Sequence, residues 1–166
     1  MSIRIAIAGV GALGCWFGAR LGPLADVTLI GRWPAQLAAL RASPLRVVDC
    51  DGREAEVWLR ATDHPEDAGP ADLALVLTKS TRTRDAAQAI AAALAPGGIA
   101  ISLQNGLGND AILAEALGAE RVTVGVTTLG AHTGGQPGVV YCGGAGVTTL
   151  ATRPEIEGQL REVCAL

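Results

Sequence analysis

The sequence predicts a doubly wound α/β fold with a mostly parallel sheet, and three observations support that prediction. Segments with the pattern of strands alternate with segments of helical pattern along the chain. Residues 73–77 and 99–103 are continuous apolar runs, which is typical of central parallel strands buried on both faces. A glycine-rich turn joins the first strand to the first helix. The 166 residues lie within the usual length of one domain, so we expect a single domain over residues 1–166.

The first part of the chain contains two strand and helix units. Residues 3–8 have the alternating pattern of a strand, and residues 12–21 predict a helix that ends at the following Gly-Pro pair. Residues 26–30 predict the second strand. A short helix over residues 34–40 follows, because a proline suits the first turn of a helix.

A small hairpin interrupts the alternation of strands and helices. Residues 45–48 and 55–59 flank the Asp51-Gly52 pair, which is typical of a hairpin turn. The polar stretch over residues 63–70 then predicts a connection that leads into the central strand.

The second half of the chain returns to alternating strands and helices. Residues 83–94 predict a helix closed by a Pro-Gly-Gly sequence, and residues 99–103 the next buried strand. A helix over residues 108–117 and a strand over residues 121–128 come next.

The pattern changes again near the C-terminus. Residues 138–142 and 146–150 predict two strands with no helix between them, which indicates antiparallel strands at the edge of the sheet. Pro154 begins a last helix.

Composition restricts the function classes. The 166 residues are 49% hydrophobic and 17% charged, which suits one packed core and argues against disorder. A net charge of −3 and 3% aromatic residues argue against a nucleic-acid partner. No run approaches the ~20 apolar residues of a membrane span, so we expect no membrane partner and a cytoplasmic location. The cysteines and histidines lack metal-ligand spacing, so no metal site is predicted, and we expect the scattered cysteines to be small buried side chains.

The glycine-rich turn has the spacing of a dinucleotide-binding fingerprint, Gly9-Val10-Gly11-Ala12-Leu13-Gly14. Gly9 would allow the tight turn, Gly11 would let the backbone approach a pyrophosphate, and Gly14 would let the helix pack closely on the strand. The N-terminus of that helix would supply free N–H donors to the phosphates. The alternative is a merely structural turn in a chain with 22 glycines. The strand before the turn and the helix after it favour cofactor binding and a Rossmann-type domain.

Arg32 points to the phosphorylated form of the cofactor. NAD-binding domains usually place an acidic residue after the second strand, whereas an arginine there can pair with a 2′-phosphate. This chain has Gly31-Arg32 at that position and no Asp or Glu. NADP is therefore predicted, and the missing acid also argues against an S-adenosylmethionine site. The alternative is an ordinary solvated arginine.

Two further polar residues follow predicted central strands. Lys79 could contact a cofactor ribose or a substrate carboxylate, and Asn105 could hydrogen-bond the nicotinamide ribose or the substrate. Their residue types alone fit a solvated loop lysine and an Asn-Gly turn equally well or better.

The ordered series of these motifs resembles the ketopantoate reductase, or 2-dehydropantoate 2-reductase, family over nearly the whole chain. The matching segments are the glycine loop, Gly31-Arg32, Thr78-Lys79, Gln104-Asn105-Gly106-Leu107-Gly108 and Gly125-Val126-Thr127-Thr128. The resemblance implies NADPH-dependent reduction of a 2-oxo acid in pantothenate biosynthesis. It places the glycine loop and Arg32 on the cofactor, Lys79 and Asn105 along the cofactor and substrate cleft, and Ala131 near the nicotinamide.

The resemblance also implies a second, helical domain that carries the general acid. We therefore predict no catalytic residue in this chain, whether it is an expressed piece, a proteolytic product or a truncated gene, and expect it to bind cofactor with little turnover. A non-enzymatic NADP-binding module, or a reductase of another 2-oxo acid, remains an alternative. We also expect an exposed apolar patch around Leu160, Val163 and Leu166 that would favour a homodimer.

Overall fold

The computed structural model describes residues 2–165 and contains two sheets. The central sheet has seven strands in the order β11-β8-β7-β6-β1-β2-β5. Six of them are parallel, and β11 is antiparallel to β8. In chain order these strands are β1 Arg4–Ala8, β2 Asp26–Ile30, β5 Arg60–Thr62, β6 Ala71–Val76, β7 Leu94–Ser102, β8 Val122–Thr127 and β11 Thr148–Leu150. The predicted fold class, with an antiparallel edge near the C-terminus, is confirmed.

Five helices cover the sheet on both faces. They are α1 Ala12–Leu21, α2 Pro34–Ala42, α3 Thr83–Ala93, α4 Asn109–Leu117 and α5 Glu157–Cys164. Ile5 and Ile7 of β1 lie in one apolar cluster with residues of α1, α2 and α5, while Ala6 and Ala8 lie in a second cluster with residues of α3 and α4. Central strands buried on both faces explain the continuous apolar runs in the sequence.

A second sheet of four strands lies in the order β4-β3-β10-β9. Its strands are β3 Leu45–Val48, β4 Glu54–Val57, β9 Gly130–His132 and β10 Val139–Gly144. The predicted hairpin is confirmed by the antiparallel pairing of β3 with β4. In this sheet β10 pairs parallel to β3 and antiparallel to β9, so the two predicted C-terminal strands do not pair with each other.

Two expectations about side chains at the periphery are wrong. Leu160 is only 3% exposed and Val163 is half-buried, because α5 turns its apolar side into the same cluster as Leu103. These two residues therefore form no exposed patch for a homodimer, and Leu166 lies outside the described residues. The expectation of buried cysteines holds for Cys15 alone, since Cys50 and Cys164 are exposed and half-buried Cys142 is disulfide-bonded to Cys50.

Candidate functional site

The carboxyl ends of four neighbouring parallel strands lie level with one another. Ala8 of β1 is in register with Ile30 of β2 and with Val76 of β6, and Val76 is in register with Ser102 of β7. Since strands lie about 4.8 Å apart, the segments that follow them stand side by side over roughly 14 Å of one sheet edge. Those segments are the glycine loop, Gly31-Arg32, Thr78-Lys79 and Gln104-Asn105. The structure therefore brings the four predicted segments to one edge, where doubly wound folds bind ligands.

Within the glycine loop, two glycines are required by the packing of the chain itself. A Cβ on Gly14 would lie 1.9 Å from the carbonyl oxygen of Gly9, so only a glycine lets α1 approach the end of β1 this closely. Gly9 has φ +135° and sits against the backbone of Leu77. Their roles are close approach and a left-handed turn, as the fingerprint predicts.

Gly11 differs from the other two glycines, because a Cβ at that position would meet no atom within 4 Å beyond its two chain neighbours, as far as residues 2–165 are concerned. Its φ of −80° and ψ of −169° are also open to any residue. The protein therefore places no demand of its own on glycine at this position. Open space over the backbone at Gly11 is what a ligand pressed against the loop would need.

The first turn of α1 offers unpaired N–H groups beside that space. Gly11 is the N-cap, no side chain caps the helix, and its first turn contains no acidic residue. The first N–H groups of a helix have no partner within the helix, and they form the positive end of its dipole. The edge at Gly11 is thus suited to an anion such as a pyrophosphate.

Gly31 has a packing role that the sequence analysis treated only as the end of a strand. A Cβ on Gly31 would lie 2.5 Å from a methyl group of Val10, which is itself only 4% exposed. Val10 thus packs over Gly31 and holds the glycine loop against the end of β2.

The Arg32 guanidinium is exposed and has one carboxylate nearby. Its side chain is 72% exposed, and its Nη1 lies 3.6 Å from Oδ2 of Asp85 in the first turn of α3. The same carboxylate oxygen accepts a hydrogen bond from Nη1 of Arg82 at 2.9 Å. Asp85 thus brings two guanidinium groups together at the edge of the site, where either group could pair with a phosphate.

A cavity of about 280 Å³ opens beside Arg32 and is lined by α2 and the segment after β5. Arg41 and Asp63 form an ion pair in its wall, with 2.6 Å between Nη2 and Oδ1. The hydrogen bond from Arg41 lowers the pKa of the Asp63 carboxyl. Arg41 is therefore already closely partnered, whereas the contact of Arg32 with Asp85 is the longer one at 3.6 Å.

Lys79 and Asn105 are both exposed, and a network of polar side chains fixes their loops. The Gln104 amide donates from Nε2 to the carbonyl oxygen of Thr78 at 3.0 Å. Asn109 donates from Nδ2 to the carbonyl oxygen of Asn105 at 3.1 Å, and the Thr83 hydroxyl donates to Oδ1 of Asn109 at 2.8 Å.

This network of Gln104, Thr83 and Asn109 was missed in the sequence. Thr83 is 1% and Asn109 6% exposed, so the groups that orient the site are themselves buried. The available signal was three polar residues next to the ends of buried segments, where apolar side chains would otherwise be expected.

The contacts of Gln104 predict a measurable effect of its removal. Gln104→Ala leaves the Thr78 carbonyl without its donor, so we expect unfolding to become easier by about 2 kcal/mol. That corresponds to a midpoint about 4–8 °C lower in thermal unfolding. The matched control is Gln159→Ala, since Gln159 donates to the Gly97 carbonyl at 3.1 Å from an exposed position of α5. Equal effects of the two substitutions would contradict a special role of Gln104.

Ala131 lies in β9 of the second sheet and not at the end of a central strand. It is half-buried, packs on the apolar cluster that contains Trp16 of α1, and is the cross-strand partner of Cys142. The structure thus places Ala131 in a strand that contacts α1, and its predicted contact with the nicotinamide stays a prediction.

No group of three or more histidine, cysteine, aspartate and glutamate side chains within residues 2–165 could hold a metal ion. Over the same residues, every helix is too short or too polar to cross a membrane.

Comparison with known sequences gives consistent matches. The chain matches the family model described as ketopantoate reductase PanE/ApbA over residues 5–155. It is 40% identical over 149 residues to the 2-dehydropantoate 2-reductase of Halobacterium salinarum, which covers 89% of this chain and 48% of the relative. It is 39% identical over 141 residues to that of Archaeoglobus fulgidus, covering 84% and 44%. The chain spans about half the length of the curated relatives it matches.

Solved structures agree with the sequence matches. The 2-dehydropantoate 2-reductase of Geobacter metallireducens is similar with a TM-score of 0.87 and 35% identity, over 98% of this chain and 54% of the other. A D-mandelate dehydrogenase, solved as a ternary complex with NADH and anilino(oxo)acetate, is similar with a TM-score of 0.87 and 26% identity, over 98% of this chain and 53% of the other.

Proposed function

The chain belongs to the ketopantoate reductase family, and from that membership we propose that it is the NADPH-binding part of a 2-oxo acid reductase. The substrate proposed first is 2-dehydropantoate, which would be reduced to pantoate. The observation that supports this best is the level edge where the glycine loop, Arg32, Lys79 and Asn105 follow four adjacent strands.

The residues at this edge fit a phosphorylated dinucleotide. Open space over Gly11 and the unpaired N–H groups of α1 suit the pyrophosphate. Arg32 suits a 2′-phosphate, since a guanidinium forms paired, charge-assisted hydrogen bonds to phosphate oxygens. The 2′-phosphate would then replace Asp85 as the partner of Arg32 and would repel the Asp85 carboxylate. Arg82, which donates to Asp85, would offset this repulsion.

In the proposed reaction, the residues at this edge would bind the cofactor and orient the substrate. The glycine loop and Arg32 would hold the reduced nicotinamide cofactor, which would supply the hydride for reduction of the 2-oxo acid. The Lys79 ammonium can pair with the substrate carboxylate, and the Asn105 amide can hydrogen-bond a hydroxyl or carbonyl group beside it. The Gln104 network fixes the backbone of both loops through the carbonyl groups of Thr78 and Asn105.

A developing alkoxide also needs a proton donor. The glycine loop and Asn105 contain no acidic group that could serve at neutral pH, and the Lys79 ammonium is assigned here to the substrate carboxylate. We place the donor in the half of the relatives' length that this chain does not span, as the resemblance implies.

The likeness to D-mandelate dehydrogenase supports a second candidate, a reductase of another 2-oxo acid. The two candidates share the cofactor edge and differ in the substrate. Titrating the NADPH-loaded protein with 2-dehydropantoate and with an aryl 2-oxo acid would separate them, because the preferred substrate should change the fluorescence of bound NADPH at lower concentration. Calorimetry that shows no NADPH binding would overturn both.

The choice of cofactor can be tested at Arg32. Arg32→Ala removes a charged hydrogen-bond pair of about 1.5–3 kcal/mol, so we expect NADPH affinity to fall about tenfold or more. NADH affinity should stay unchanged, because NADH has no 2′-phosphate. Calorimetric titration with both cofactors measures the difference.

Arg161→Ala is the matched control for Arg32→Ala. Its side chain is 77% exposed and pairs with Glu157 on α5, away from the level edge. A loss of NADPH affinity in the control, or equal losses for NADPH and NADH in Arg32→Ala, would count against the assignment.

A further inference from the structure

The disulfide between Cys50 and Cys142 joins two parts of the second sheet that are 92 residues apart in sequence. The two Cα atoms lie 5.0 Å apart, within the usual range for a disulfide. The pairing of β10 with β3 in the second sheet sets this distance. Because β10 runs parallel to β3 with Tyr141 opposite Val48, Cys142 arrives beside the turn that contains Cys50.

This disulfide is open to small molecules. Cys50 is exposed, Cys142 is half-buried, and both line a cavity of about 440 Å³ together with Trp16, Arg20 and Asp49. The Arg20 guanidinium lies 4.7 Å above the Trp16 ring and is ion-paired with Asp49, so a cationic group stands in the cavity wall. Asp49 and Asp51 flank Cys50 in the same wall and Asp49 already pairs with Arg20, so exposure rather than local charge favours exchange at this disulfide.

The other two cysteines provide a contrast within the same chain. Cys15 is fully buried, and burial raises the pKa of its thiol to about 11, so it stays protonated and unreactive at neutral pH. Cys164 is exposed on α5 and has no disulfide partner among residues 2–165.

We propose that Cys50 and Cys142 form a reversible thiol–disulfide site that exchanges with low-molecular-weight thiols and disulfides. A small thiolate attacks one sulfur, the other cysteine leaves as a thiolate, and a second small thiol resolves the mixed disulfide. In balance, the disulfide and two small thiols give two cysteine thiols and one small disulfide, and the reverse reaction oxidises the pair. Accessible disulfides of this kind exchange more readily than buried ones.

Exchange at this site acts on the strand that carries Ala131. Cys142 and Ala131 are directly opposite in the antiparallel pair of β10 with β9, and β9 and β10 both contact α1. The disulfide ties this pair of strands to the turn after β3, and reduction releases the tie. Weaker NADPH binding by the reduced form is the consequence, and this consequence rests on the proposed function.

Differential alkylation tests the exchange. The protein is equilibrated with reduced or oxidised glutathione, treated with iodoacetamide under native conditions, and digested for mass spectrometry. We expect Cys50 and Cys142 to be labelled after reduction and joined to each other after oxidation, and Cys15 to be labelled in neither state. The exposed Cys164 should be labelled after reduction and found as a mixed disulfide with glutathione after oxidation. Equal labelling of Cys50 and Cys142 in both states would overturn the proposal.

Thermal unfolding gives a second readout that needs no cofactor. Closing a loop of this length should raise the midpoint of the oxidised form by about 10 °C over the reduced form. Cys50→Ser or Cys142→Ser should remove the difference, and Cys164→Ser should leave it intact. A midpoint of the unaltered protein that glutathione does not shift would contradict the proposal without any variant.

NADPH titration of the two forms separates the consequence from the proposed function. Weaker binding by the reduced form is expected. Equal, measurable affinities would overturn the coupling to Ala131. Absence of binding in both forms would instead overturn the proposed function, and labelling and unfolding would still decide the exchange.

Discussion

Gly11→Val should abolish NADPH binding and leave a folded protein. The valine side chain would fill the open space over the loop, which the structure leaves empty to at least 4 Å around a Cβ. A pyrophosphate kept from the N–H groups of α1 loses charged hydrogen bonds of about 1.5–3 kcal/mol each. The loss of two such bonds corresponds to about 100-fold or more in affinity, and calorimetric titration would show no binding at ordinary concentrations.

The fold should tolerate this change. Gly11 has an extended conformation open to valine, and among residues 2–165 a Cβ there would meet nothing within 4 Å beyond its two chain neighbours. The cost is that of a poorer N-cap, about 1 kcal/mol or less, and thermal unfolding measures it. Gly158→Val is the matched control, because Gly158 also faces open space but lies on α5. Unchanged NADPH affinity in folded Gly11→Val would mean that the loop is only a structural turn.

The central sheet could be predicted because its signals are local. Each apolar run between helical segments predicts a buried parallel strand. Because the strands are parallel, the segments that follow Ala8, Ile30, Val76 and Ser102 lie at one edge of the sheet. The candidate site follows from that order alone. The level alignment of the four strand ends is what only the structure adds.

The second sheet could not be predicted in the same way. The pairing of β10 with β3 joins residues more than 90 positions apart, as Val139 with Arg46 shows, and no periodicity encodes such a partner. The three-residue strand β5 was missed because Arg60–Thr62 is too short and polar to show a pattern. Leu160 was misjudged because its burial depends on where α5 packs, and the sequence contains no signal for that contact.

Gly11 and Gly14 lie in the same loop, but they differ in the space around their Cβ positions. The fingerprint predicts that Gly11 serves the ligand and that Gly14 serves the packing of the helix. The space around each Cβ separates them, since Gly11 faces nothing within 4 Å and Gly14 faces a backbone oxygen at 1.9 Å. A larger side chain at Gly11 should therefore abolish cofactor binding and leave the fold intact, whereas one at Gly14 should destabilise the fold.

Gly14→Ala should destabilise the fold strongly, against the usual effect of this substitution in a helix. Alanine is about 1 kcal/mol better than glycine in a helix interior, so intrinsic propensity alone predicts a gain. Here the new methyl would overlap the Gly9 carbonyl oxygen, and backbone atoms cannot turn aside as a flexible side chain can. Overpacking of this kind costs about 3 kcal/mol or more, which lowers the unfolding midpoint by roughly 6–12 °C.

The direction in which the unfolding midpoint of Gly14→Ala shifts decides between helix propensity and packing. Gly158→Ala places the same methyl in a helix with open space around it, so it should be neutral or stabilising by up to about 1 kcal/mol. The unfolding midpoints of both variants, measured with and without NADPH, compare the gain in helix propensity at Gly158 with the steric overlap at Gly14. If Gly14→Ala raises the midpoint as Gly158→Ala does, α1 does not lie against the end of β1 as the structure has it. A lower midpoint for Gly14→Ala alone shows that this glycine holds the helix close enough to the strand for the loop at Gly11 to form.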